Sequence, residues 1–130
     1  MDLMEVLTDA VEHIPGAVAI SLLGMDGVAV ETVNGSKPLV GTTQASRPED
    51  GDFAAWEVEV ADLMLGARRA ARSLNWGALK HMTLETRELT FMMRLVKPDY
   101  FILLALDREA NLARARFELQ RLASSLTDGM

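Results

Sequence analysis

Two histidines, His13 and His81, are the only imidazoles in this chain, and it has no cysteine. The two histidines lie on different elements and neither has a second His at ligand spacing, so the residues do not predict a metal site. His13 closes a helical pattern just before Ile14-Pro15, where a cation meets the helix dipole favourably, and a capping role is expected of it. Without cysteine there is no thiolate nucleophile, thiolate metal site or disulfide framework. No G-x-S-x-G, P-loop or G-x-G-x-x-G pattern occurs. The stretch Gly24-Met25-Asp26-Gly27 offers one acid and reads as a turn rather than a calcium loop. Acid pairs such as Glu57 with Asp62, or Glu85 with Glu88, fit a solvated surface better than general acid–base work. One cationic cluster stands out: Arg68, Arg69 and Arg72. An arginine finger would sit on a mobile loop; arginines in mid-helix suit an ion pair or a docking contact. The residues therefore predict no catalytic group and no cofactor.

The elements around these groups follow from periodicity. Residues 2–14 place Leu3, Leu7, Ala10 and Ile14 on one helical face, with acids opposite. "AVAISLLGM" reads as a strand apolar on both faces, and Asp26-Gly27 marks a type I′ hairpin turn into "VAVETV". Residues 34–52 form one long Gly-, Pro-, Ser- and Thr-rich loop. A long helix is predicted over 53–74. Its broad stripe contains Phe53, Trp56, Val60, Leu63, Met64, Ala67, Ala71 and Leu74, expected on the sheet. A second, narrower stripe, Ala54, Val58, Ala61 and Leu65, is expected against a partner helix. Acids Glu57, Glu59 and Asp62 occupy its first half and the arginines its second. Two antiparallel copies would set acid against base at both ends. Residues 79–86 alternate as an edge strand with His81, Thr83 and Glu85 on the outward side. "ELTFMMRLV" pairs with it, and "YFILLAL" reads as a central strand covered on both faces. "DREANLARARFEL" (107–119) opens the last helix, predicted from about Glu109, with Asp107 as cap, Asn111 and Arg114 at the junction, and Phe117 facing out.

The chain has 130 residues, about half hydrophobic, with net charge −6. That fits one domain over 1–130 with a single fold core. The acidic balance argues against nucleic acid, which calls for a basic stripe. The N-terminal stretch carries acids where a signal peptide needs Lys or Arg, and no apolar run is long enough to span a bilayer, so a cytoplasmic protein without membrane insertion is expected. The predicted fold class is α+β, an α/β sandwich. It has a five-stranded, mostly antiparallel sheet with helices on both faces, in the order α-β-β-α-β-β-β-α.

"HIPGAVAISLLGMDGVAVETV" and "YFILLALDREANLARARFELQRLASSL" together resemble the opening and close of the Roadblock/dynein light-chain domain family. The family's usual Gly near the start of the last helix is Ala113 here. The resemblance spans Leu3 to Leu126, by layout rather than residues in the 34–52 loop and the middle helix. It implies a non-catalytic protein that dimerises through the long helix and the adjacent strand. Its partners would be a small Ras-like GTPase, a Roadblock-domain paralogue, or both, as in bacterial Mgl-type polarity and motility systems. The close of the chain soon after the last helix leans toward a lone-domain adaptor. On this reading Ala54, Val58, Ala61, Leu65, His81, Thr83 and Glu85 build a homodimer. Glu57, Asp62, Arg68, Arg69, Arg72 and Phe117 would face the partner. Two rivals are a ligand-sensing or enzymatic α/β domain, with a pocket near the 34–52 loop, and a purely structural subunit.

Overall fold

The computed structural model describes residues 2–35 and 50–129. Helix α1 (Leu3–His13) starts where Asp2 Oδ1 accepts from the Glu5 amide at 2.9 Å, satisfying one free first-turn N–H. At its other end His13 Nδ1 lies 2.7 Å from the Asp9 carbonyl and 3.3 Å from Asp9 Oδ1. Strands β1 (Ala17–Gly24) and β2 (Ala29–Asn34) form the first hairpin. Its turn differs from the expected type I′. Gly27 has φ 87°, but Asp26 is not left-handed, and the Gly27 amide donates to the Gly24 carbonyl at 3.0 Å. Met25, Asp26 and Gly27 thus form a three-residue loop closed by a left-handed glycine, and the Asp26 carboxylate accepts from the Val28 amide.

Helix α2 (Asp50–Ser73) crosses one face of the sheet. Its first residues lie within the stretch read as loop, as does Asn34 of β2; residues 36–49 of that loop fall outside the described residues. Strands β3 (His81–Glu85), β4 (Leu89–Lys97) and β5 (Tyr100–Asp107) complete the sheet, and α3 (Leu112–Gly129) returns over the opposite face beside α1. The strand order is β2-β1-β5-β4-β3, with every neighbouring pair antiparallel.

Alternation along the two central strands makes two apolar layers from one sheet. Ile102, Leu104 and Leu106 of β5 join Ile20 and Leu22 of β1 beneath α1 and α3. Phe101, Leu103 and Ala105 join Val18, Leu23, Met93 and α2's Phe53, Val60, Ala61 and Met64 on the other side. The three leucines of β5 and Ile102 have no exposed surface. Each such side chain contributes roughly 1.5–3 kcal/mol through removal from water.

The stretch 107–119 is corrected in one respect. Asp107 does not cap α3. Its Oδ1 accepts from the Glu109 amide in a local turn, while Asn111 Oδ1 accepts from the Arg114 amide at 3.1 Å and is the true cap. The helix therefore begins three residues later than predicted, at Leu112. The Asp107 turn is pinned to the start of β1: the Asp107 amide donates to the Gly16 carbonyl at 2.8 Å. Gly16 has φ 85°, and a Cβ there would sit 2.6 Å from the Ala110 methyl. Only glycine suits both the conformation and the approach.

Candidate protein-interaction surface

The orientation of α2 decides which of its residues can meet a partner. Trp56 packs edge-on to Phe91 of β4, ring centroids 5.6 Å apart, so the flank bearing Trp56 looks toward the β4–β3 side. Leu63, Ala67, Ala70 and Leu74 follow on that same flank by helical periodicity. Leu63 is 47% exposed and Leu74 59%. The sequence pattern puts both on the sheet; in the structure both are exposed on this flank instead. On the opposite flank Val58 approaches the first hairpin, its Cα 3.5 Å from where a Gly27 Cβ would stand.

The expected dimer stripe is thereby divided. Ala61 is 2% exposed, buried among the sheet-facing residues, and Leu65 is half-buried against the same layer. Ala54 and Val58 are exposed, but Val58 lies on the hairpin flank. The physical reason is that the buried face of α2 is turned toward the hairpin, taking in Ala61 and part of Leu65 while leaving Leu63 exposed. The first hairpin turn packs against this flank of α2, with Gly27 in ordinary contact distance of Val58 and the Ala61 methyl, so Ala61 is enclosed between hairpin and sheet.

Glu57 is a second correction. Expected at a partner-facing surface, it is 6% exposed, and its Oε2 accepts from the Thr32 hydroxyl of β2 at 2.7 Å. Thr32 pairs across the sheet with Ser21, whose buried hydroxyl has no partner among the described residues. A polar strip thus runs under α2 where the pattern promised solvent.

The arginine cluster divides as well. Arg68 folds down to donate to the Pro98 carbonyl at 2.6 Å, and Arg72, one turn on, lines the same side. Arg69 is exposed on the outer surface, as are Asp62 and Glu59.

At the sheet edge, β3 pairs among the described residues only with β4, leaving its other backbone side open there. Register places His81, Thr83 and Glu85 opposite Arg94, Met92 and Thr90, on the α3 side of the sheet, and all three are exposed. Met82 and Leu84 point to the α2 side, where Leu84 is an exposed large apolar residue. The expected edge residues and the expected helix stripe therefore lie on different faces, and Leu84 is on the same face of the sheet as α2. Trp76, in the α2–β3 connection, is the most exposed large apolar side chain among the described residues, at 70%. Neither Trp76 nor Leu84 was singled out by sequence. The one signal was "LNWG", a tryptophan inside a helix-stop pattern with no periodic face to bury it. Phe117 is exposed, and Arg121 lies 5.9 Å above its ring.

A groove of about 650 Å³ lies between the start of α1 and the end of α3, lined by Leu3, Val6, Leu22, Val30, Tyr100 and Leu126 among others. It sits at the hairpin end of β2, away from Asn34, where the pocket of the ligand-sensing reading was expected. Among the described residues no group of three or more His, Asp or Glu could hold a metal ion, and no helix is long and apolar enough to cross a membrane.

The sequence matches no family model and no curated protein. Solved structures do match. MglC from Myxococcus xanthus is 30% identical over 100% of both chains, with TM-score 0.68. A Roadblock/LC7 domain from Streptomyces avermitilis is 16% identical, covers 97% of this chain and 95% of its own, and has TM-score 0.78. The gliding protein MglB from Thermus thermophilus is 14% identical, covers 95% of this chain and 84% of its own, and has TM-score 0.79.

Proposed function

This chain belongs to the Roadblock/LC7 family, with Mgl-type proteins among its relatives, and from that premise we propose that it is a non-catalytic dimeric adaptor. It would bind a small Ras-like GTPase or a Roadblock-type partner of one, in the control of cell polarity or motility. The observation that carries this reading is an apolar flank of one helix beside an open strand edge. Leu63 and Leu74 are exposed on the flank of α2 that looks toward the β4–β3 side, and among the described residues β3 has unpaired backbone on one side and an exposed Leu84 on the face that α2 covers. Large apolar side chains grouped next to a free edge mark an interaction site. A two-fold copy meeting β3 to β3 would pair the open backbone and bury that flank twice. His81, Thr83 and Glu85 would then line the seam on the α3 side. Asp62 and Arg69, on the outer surface of α2, are the groups best placed to meet the third protein.

Light scattering coupled to size exclusion tests the dimer: a mass near twice 14.3 kDa is expected at tens of micromolar, and a monomer there sinks the proposal. Pull-down against the small GTPases and Roadblock paralogues of the same organism tests the adaptor role. Failure to retain any of them would leave only a structural subunit.

A further inference from the structure

We propose that the cleft between the C-terminal half of α2 and the β4–β5 turn docks an acidic segment of a protein partner, anchored by an apolar side chain. This deepens the adaptor reading and rests on it. The cleft holds about 340 Å³ and is lined by Arg68, Arg72 and Lys97 above Leu79 and Leu95. Among the described residues the ion pairs are Asp9 with His13, Glu88 with Arg87 and Glu118 with Arg121, so none of the three cations has a carboxylate partner there. In a chain of net charge −6, three such cations converging on one apolar floor form a local field opposite to that of the whole molecule.

The geometry is partly set in advance. Arg68 is half-buried, and its bond to the Pro98 carbonyl holds one part of the guanidinium and leaves other N–H groups of the fork to meet a carboxylate. Fixing that side chain beforehand lowers the ordering cost of a ligand. The volume is at the low end for ligand sites, suited to one or two side chains rather than a cofactor. An anionic membrane is disfavoured as the occupant. It needs a flat or convex basic face, each cation contributes only about 1 kcal/mol near such a surface, and the remaining negative charge opposes approach. A peptide that combines acids with a Leu or Phe matches both the rim and the floor.

The test is fluorescence anisotropy with a short labelled peptide carrying acidic residues around a Leu-Phe pair. The same peptide with amides for the acids, and vesicles of phosphatidylserine and phosphatidylcholine, serve as controls. The acidic peptide is expected to bind, weakening several-fold as salt rises from about 50 to about 300 mM, and the amide peptide to bind at least about tenfold more weakly. Arg72→Glu and Lys97→Glu should each weaken it by about tenfold or more with an unchanged melting curve. Arg68→Lys, which keeps the charge and loses the fork, should weaken it by less. Equal binding by the Arg72→Glu chain, no binding of the acidic peptide at millimolar protein, or binding to vesicles instead of peptide overturns the proposal. A partner captured equally by wild type and by the Arg72→Glu chain also overturns it, while leaving the adaptor reading intact. Should wild type capture no partner, the adaptor reading fails, and the peptide titration still decides the cleft.

Discussion

Thr32→Val is the most direct probe of how α2 sits on the sheet. The substitution keeps the branched shape of the side chain and removes the hydroxyl that donates to Glu57 at 2.7 Å. Glu57 is nearly buried, so its carboxylate has little water to turn to. A hydrogen bond to a charged group is worth about 1.5–3 kcal/mol when one partner is lost. A destabilisation of about 2 kcal/mol is therefore expected. With a urea dependence of about 2 kcal/mol per molar for a domain this size, the unfolding midpoint should fall by about 1 M. Urea titration followed by circular dichroism reads this, at one fixed protein concentration because association shifts apparent stability. Glu57→Gln keeps an acceptor, so it should cost about 1 kcal/mol, the worth of a neutral hydrogen bond. The double variant should show a coupling of at least about 1 kcal/mol. If Thr32→Val moves the midpoint by less than about 0.2 M and the coupling vanishes, Glu57 is not held beneath α2. The outward orientation suggested by the sequence pattern would then be restored.

Other consequences are simpler to state. Leu63→Asp should raise the dimer dissociation constant at least about a hundredfold, from roughly 3 kcal/mol for two buried, unpaired carboxylates; Val58→Asp, on the hairpin flank, should leave the mass by light scattering unchanged. Gly16→Ala should cost about 2–4 kcal/mol, combining a left-handed backbone with the 2.6 Å approach to Ala110, and should show as a large drop in melting temperature. Asn111→Ala should cost about 1 kcal/mol through loss of the α3 cap. Ser21→Ala, which removes a buried hydroxyl without a partner among the described residues, should be neutral or stabilising by up to about 1 kcal/mol in the same urea assay.

The architecture was legible because its signals are strong and local. "YFILLAL" admits no solvated face, so a central strand follows, and Pro15-Gly16 and Asp26-Gly27 mark the ends of elements. The interaction surface was less legible because α2 carries apolar residues around most of its circumference. On a helical wheel Leu63 and Leu74 sit within the broad stripe, and only the position of the sheet decides that they stay exposed. That position depends on contacts between segments distant in sequence, the first hairpin turn against Val58 and Ala61 and the Thr32–Glu57 bond. No periodicity marks a buried glutamate. The Asn111 cap was missed for a different reason: Asp107 is also a capping residue type, and which of the two starts the helix depends on the turn pinned to Gly16.

Among the described residues the sheet has two open edges, and they do not offer the same kind of growth. A β3-to-β3 meeting is two-fold, so it consumes both partners' edges and stops at two chains. A β3-to-β2 meeting would be head-to-tail, and every added chain would present a fresh edge, giving a filament without end. Strand β2 opposes this with α1, whose Leu3, Val6 and Ala10 share its apolar layer with Val33, and with Glu31 on that same face. The placement of α1 thus leaves less of β2 exposed than of β3. Melting that helix would uncover this face of β2 and at the same time withdraw Leu7 and Val11 from the core.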